Sequence, residues 1–249
     1  MKTLKNLCSS FIHAIENEAG FVIAVVFFVA ALFALAIMSE KHYHKKNPEA
    51  VFVNRTKKIS IIGVFSALAA VLMYLEIPLF FVPDFYKIDF SEIPVLICGF
   101  VLGPVSAAAS EAVKIIIKLI IKPTSTAFVG EFANFVVGCA FVIPASILYM
   151  RLKSRKNAIV SMALGTVIST LTGMFLNAFI LLPAFAALYG GMPVEKLIEM
   201  GTAVNPAISD MLTFILLAVT PLNLIKFSLV SVLVFLVYKK ISVILKMKI

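Results

Sequence analysis

Long apolar runs separated by short charged clusters set the rhythm of this chain. Residues 21–38 carry no charge, and further apolar runs cover 59–76, 93–121, 127–150, 158–188 and 206–238. A helix rises 1.5 Å per residue, so roughly 20 apolar residues cross a bilayer core, and these runs predict spanning helices. The run 93–121 is too long for one ordinary span. Gly103-Pro104 divides it, because proline disfavours helix in the residue before it, and two helices over 93–102 and 104–121 are expected. The linker 77–92 holds Pro78, Pro83, Asp84, Asp89 and Glu92. That composition is incompatible with a helix crossing lipid, whereas its aromatic residues suit an interface or a lid. The segment 189–205 reads as a second loop.

Composition places these helices in lipid. Apolar residues make up 61% of the chain and charged residues 14%, with a mean hydropathy of +1.06, against about 25% charged in a soluble domain. The fold class expected is an all-α integral membrane protein: a six-helix core over 59–249, preceded by an extension, 1–58, with an additional transmembrane helix. Glu16 and Glu18 stand where a cleaved signal would carry basic residues, and no A-x-A-like site follows the run 21–38. The net charge of +9 does not mark a nucleic-acid partner. Its lysines and arginines gather between spans, at 41–58, 151–156 and 239–240, as the positive-inside rule expects. With 40–58 in the cytoplasm, six core helices return 151–157 and the carboxyl terminus to the same side, leaving 77–92 and 189–205 outside.

Against this background a few polar residues stand out. Asn177 lies in MFLNAFILLP, and Asn223 and Lys226 lie in TPLNLIKFSLV. An amide or ammonium group at bilayer depth costs several kcal/mol without a partner, so such groups face a site or a polar path. Lys226 is twelve residues before Tyr238, about 18 Å along the helix and too deep to snorkel easily. Asn223 and Lys226, three apart, share a helix face beside Pro221, which has no backbone N–H to donate. Amides that donate and accept, with a lysine that only donates, complement a flat ring edge alternating N–H and C=O, or a carboxylate. An equally weighted alternative makes the asparagines interhelical glue and pairs Lys226 with Asp210 or Glu131.

Glu111, Lys114 and Lys118 form a second stripe, read as an intrahelical ion pair with Lys118 and Lys122 reaching the interface. Gly130, Glu131 and Asn134 follow a helix start and serve as cap or binding wall. Gly63, Ser66, Ala67 and Ala70 give one helix a small-residue face that lets another helix approach. Cys8, Cys98 and Cys139 have no metal-ligand spacing, and no metal site is expected. No phosphate-binding G-x-x-x-x-G-K-[ST] loop occurs, so any ATP-driven step belongs to other chains. The histidines, His13, His42 and His44, all lie in the extension and no nucleophile–base set is visible, which argues against an enzyme.

In order, the motifs YKIDFSEIP, GFVLGP, VGEFANF, LNAFILLP, NPAISD and PLNLIK resemble the riboflavin-specific substrate-binding (S) component of energy-coupling-factor (ECF) transporters, over roughly residues 59–246. The resemblance implies a multi-pass cell-membrane protein that binds riboflavin from outside, with flavin (riboflavin, or FMN) as cargo and no cofactor. Its implied partners are a transmembrane coupling protein and two ATP-binding-cassette ATPases. It assigns the ring's polar edge to Asn177, Asn223 and Lys226, and the ribityl side to Lys87, Ile88, Asp89 and Gly130. The face Gly63, Ser66, Ala67 and Ala70 resembles the surface that docks on the coupling protein, while residues 1–58 depart from the family pattern. Rival readings are an S component for thiamine, biotin or pantothenate, a secondary transporter acting without partners, and a structural membrane protein without a ligand.

Overall fold

The computed structural model of the chain describes residues 19–48, 54–83, 85–124 and 126–246, excepting the side chains of Ala19 and 238–246. Cys8, His13, Glu16, Glu18, Asp84 and the side chains of Lys239 and Lys240 lie outside the described residues. The order is α1 (Ala19–Lys46), α2 (Arg55–Tyr74), β1 (Ile77–Pro78), β2 (Lys87–Ile88), α3 (Glu92–Leu102), α4 (Pro104–Ile121), α5 (Val129–Arg151) and α6 (Arg155–Leu176). There follow a π-turn at Asn177–Leu181, α7 (Leu182–Leu188), α8 (Val194–Val204), α9 (Met211–Phe214), a second π-turn at Ile215–Val219, and α10 (Thr220–Lys246).

Among the described residues, α1, α2, α5, the continuous helix Arg155–Leu188 and the helix Met211–Val237 are long and apolar enough to cross a membrane. Helix α4 is an 18-residue helix, about 27 Å long, and its Glu111, Lys114 and Lys118 are all buried inside the protein. With α3, these give the expected six-helix core plus the additional helix. Gly103 makes the predicted break between α3 and α4: its φ of 99° suits glycine, and Pro104 starts the next helix where no backbone donor is needed.

Three local expectations change. The linker 77–92 contains a short antiparallel pair, Ile77 opposite Ile88 and Pro78 opposite Lys87. The loop 189–205 contains α8, whose Leu197, Ile198 and Gly201 are buried while Glu195, Lys196 and Glu199 are exposed. The last span begins at Met211 rather than 206, where Asp210 and Thr213 form a reciprocal capping box. Both long helices also widen into π-turns, each ending two residues before a proline, Pro183 or Pro221. Proline supplies no N–H and crowds the carbonyl four residues back. The wider ladder precedes it, with the Leu182 N–H bonded to the Asn177 carbonyl and the Thr220 N–H to the Ile215 carbonyl.

The core forms two apolar clusters. One contains Leu96, Phe100, Phe141, Tyr149, Phe227 and Val230. The other contains Tyr86, Leu176, Leu182, Leu197, Phe214 and Leu222. Asn223 and Lys226 fall between Leu222 of one cluster and Phe227 of the other. The boundary is therefore a polar layer.

Candidate functional site

The layer begins with a glycine. Gly173 of α6 has no side chain, and a Cβ there would lie 2.8 Å from Asn223 Nδ2 and 3.0 Å from its Oδ1. The Asn223 amide therefore rests directly against α6. The Gly173 carbonyl also accepts a 2.7 Å hydrogen bond from Asn177 Nδ2. One backbone position thus brings together two asparagines that are far apart in sequence. Asn177 is 5% exposed and Asn223 8%. Asn223 Nδ2 donates to the Val219 carbonyl at 2.9 Å, within the second π-turn. Tyr86, from the linker, donates its hydroxyl to Asn177 Oδ1 and packs beside Phe85 and Phe214.

Lys226, one turn beyond Asn223, pairs with Asp89 at 3.0 Å and has Glu92 at 3.8 Å. Neither Asp210 nor Glu131 is its partner. Asp210 caps α9, accepting the Thr213 N–H at 2.8 Å, and Glu131 pairs with Lys118. Burial favours the neutral acid at Asp89, but Lys226, then Lys114, then hydrogen bonds from Ser91 oppose it and hold its carboxyl below the usual carboxylate range.

Behind this pair lies Lys114, fully buried, which donates to Ser91 Oγ and Glu92 Oε1 at 3.1 Å each and pairs with Glu111 one turn back. The Glu111 carboxylate fits against Gly138, where a Cβ would overlap it. Three carboxylates and two ammonium groups thus form one buried cluster linking the linker, α3, α4 and α10. The expected Glu111–Lys114 ion pair is present. Lys118 does not reach an interface, because Glu131 holds it inside the protein, whereas the half-exposed Lys122 pairs with Glu76 at 3.4 Å.

The other expected residues separate into distinct environments. Ile88 is buried in the apolar cluster beside Tyr86, and Lys87 is exposed and paired with Glu76 at 3.2 Å. Gly130, Glu131 and Asn134 build the start of α5. The Gly130 N–H donates to Thr126 Oγ1 at 3.1 Å, Asn134 Nδ2 donates to the Gly130 carbonyl at 3.3 Å, and Glu131 Oε2 accepts from Thr124 at 2.9 Å. The Gly130 N–H and the Glu131 carboxylate are thus engaged in the cap. On α2, Ser66 hydrogen-bonds Ser110 of α4 at 3.0 Å and is buried with Ala70, whereas Gly63 and Ala67 remain exposed.

Sequence reasoning missed Tyr86, Ser91 and the place of Glu92 and Lys114 in this layer. The motif YKIDFSE contains three of them, but their partners lie on other helices. The two prolines following the π-turns were the available sign of irregular backbone beside the asparagines.

Chemically, the layer offers two amides, an ammonium group and a phenol hydroxyl between apolar walls, with part of the linker packed over them. Such a set suits a planar heterocycle with a polar edge. Residues 57–238 match the family described as "ECF transporter, substrate-specific component". The chain is 32% identical over 191 residues to "Riboflavin transporter FmnP" of Bacillus subtilis (strain 168), a match covering 76% of this chain and 93% of that protein. It is 27% identical over 194 residues to "Riboflavin transporter RibU" of Staphylococcus aureus (strain TCH60), covering 78% and 95%. A solved chain described as "Structure and mechanism of the S component of a bacterial ECF transporter" superposes with a TM-score of 0.60 at 28% identity, covering 78% of this chain and 99% of that one.

Proposed function

This chain belongs to the substrate-specific components of ECF transporters, and from that membership we propose that it captures riboflavin for ATP-driven uptake through Asn177, Asn223 and Lys226. It is a multi-pass membrane protein and a transport subunit rather than an enzyme. The convergence of Asn177 and Asn223 on Gly173, with Lys226 one turn away, carries the reading.

The pyrimidine edge of the flavin presents an imide N–H between two carbonyls. The amides donate to the carbonyls and accept from the imide, and Lys226 donates to an acceptor on the same edge. Lys226 has three N–H groups, of which Asp89 takes one at 3.0 Å. The carboxylate therefore orients the lysine and leaves donors for cargo. The apolar clusters on either side cover the ring faces. On binding, Asn177 Oδ1 exchanges the Tyr86 hydroxyl that occupies it for the imide N–H.

Orientation follows the basic segments, with the core carboxyl terminus cytoplasmic and the linker 77–92 outside. Uptake against a gradient requires an energy source, supplied by a transmembrane coupling protein and two ATP-binding-cassette ATPases. The exposed part of the small-residue face on α2, Gly63 and Ala67, is the docking surface, and Ser66 and Ala70 support it from within. Residues 1–58 form an extension to the core 59–249.

The test is binding by detergent-purified protein. Flavin absorbance on purification and saturable quenching of added riboflavin fluorescence are expected. A thermal shift with thiamine, biotin or pantothenate and none with riboflavin would overturn the assignment. Riboflavin accumulation by vesicles holding this chain alone would support a secondary transporter.

A further inference from the structure

Helix α1 lies outside the residues that match the family. It is nevertheless packed into both apolar clusters: Leu32 and Ala36 are buried in one and Val25 in the other. At one end Glu40 Oε1 accepts the Val105 N–H at 3.1 Å. This supplies the start of α4 with a cap that Gly103, lacking a side chain, does not provide. At the other end Phe21 stacks on Phe179, centroids 4.3 Å apart and planes within 18°, and meets Phe175 edge-on at 5.9 Å.

Phe179 lies inside the π-turn that Asn177 opens. A π-turn is an irregular section of helix, so side chains packed against it help determine where its residues sit. We infer that α1 is a positioning element of the flavin site, with Phe21 bracing the π-turn that presents the Asn177 amide. The brace acts through Phe179 and touches no cargo. This deepens the proposed function and rests on it for its effect on flavin.

The experiment uses the full chain in detergent with three variants, Phe21→Ala, Phe179→Ala and their combination. Phe33→Ala serves as a control on the same helix, since Phe33 packs against Phe135 of α5 with centroids 6.4 Å apart and lies about 18 Å along α1 from Phe21. Riboflavin affinity should fall about 2- to 12-fold in each π-turn single variant, the range of one aromatic pair. The double variant should bind no more weakly than Phe179→Ala. Amides of residues 178–182 should exchange hydrogen faster in Phe21→Ala without ligand, and Phe21→Trp, which keeps an aromatic face, should restore them.

Phe33→Ala should lower thermal stability with affinity within about twofold of the original. Equal affinity losses in Phe21→Ala and Phe33→Ala, or unchanged exchange at 178–182, would overturn the brace. Absence of riboflavin binding by the unaltered chain would reject the functional reading, while the exchange contrast would still decide the brace.

Discussion

Replacing Lys226 by methionine removes an ammonium group that has two separable roles. It neutralises Asp89 at 3.0 Å, and in the proposed function it donates to flavin. Breaking a buried ion pair from one side costs about 3–5 kcal/mol, because the remaining charge is stranded. Lys226→Met should therefore lower stability markedly. Adding Asp89→Asn removes the stranded charge while the amide oxygen can still accept the Ser91 N–H, a 2.9 Å bond to Asp89 Oδ1. It also returns the Asp89, Glu92, Glu111, Lys114 and Lys226 cluster to its original formal net charge. Most of the lost stability should return in the double variant, measured by thermal unfolding in detergent without ligand.

Affinity should not return. A hydrogen bond involving a charged group contributes about 1.5–3 kcal/mol, so both Lys226→Met and the double variant should bind riboflavin roughly 10- to 150-fold more weakly. Fluorescence quenching titrations read this directly. If Asp89→Asn/Lys226→Met recovers both stability and an affinity within about threefold of the unaltered protein, Lys226 serves only to neutralise Asp89.

Four other outcomes follow from the same geometry. Tyr86→Phe removes the hydroxyl that competes for Asn177 Oδ1 and should tighten riboflavin binding by about 2- to 12-fold; weaker binding in the same titration would place the hydroxyl in the bound site. Gly173→Ala puts a methyl group 2.8 Å from Asn223 Nδ2 and should weaken binding at least about tenfold by displacing that amide, whereas Glu131→Gln should lower thermal stability and leave affinity unchanged. On acidification, the lowered pKa of Asp89 means that its contribution to stability is full above its unfolded pKa, about 3.9, and is lost as pH falls through the lower folded value. Unfolding measured from pH 6 to about pH 3 should show a smaller loss for Asp89→Asn than for the unaltered protein.

The spans, the Gly103-Pro104 break and the burial of Asn177, Asn223 and Lys226 were legible because each depends on local composition in a bilayer. The partner of Lys226 was not. Asp89 is 137 positions away, and nothing local distinguishes it from Asp210 or Glu131 as a partner. Lys114 was similarly ambiguous, since an i,i+3 charge pair has the same sequence signature on an exposed face as in a buried one. Its burial follows from Gly138 admitting Glu111 and from Glu92 reaching it from α3. The helix α8 was hidden by flanking Gly-Gly and Asn-Pro, which suggested one continuous loop, although the amphipathic stretch between them is long enough for three turns.

The placement of α1 also bears on how an extended chain remains compatible with partner docking. This helix packs on α4, α5 and the first π-turn. Gly63, Val64, Ala67, Leu68 and Val71 of α2 remain exposed, and Gly63 has no atom near the place of a Cβ. Membrane helices associate through close van der Waals contact at small residues, and Ser66 and Ala70 are already spent on contact within the chain. Helix α1 thus packs on the side of α5 and leaves the proposed coupling surface open. Replacing Gly63 and Ala67 together by leucine should therefore abolish copurification with the coupling protein while riboflavin affinity stays intact, and retained copurification would locate the docking surface elsewhere.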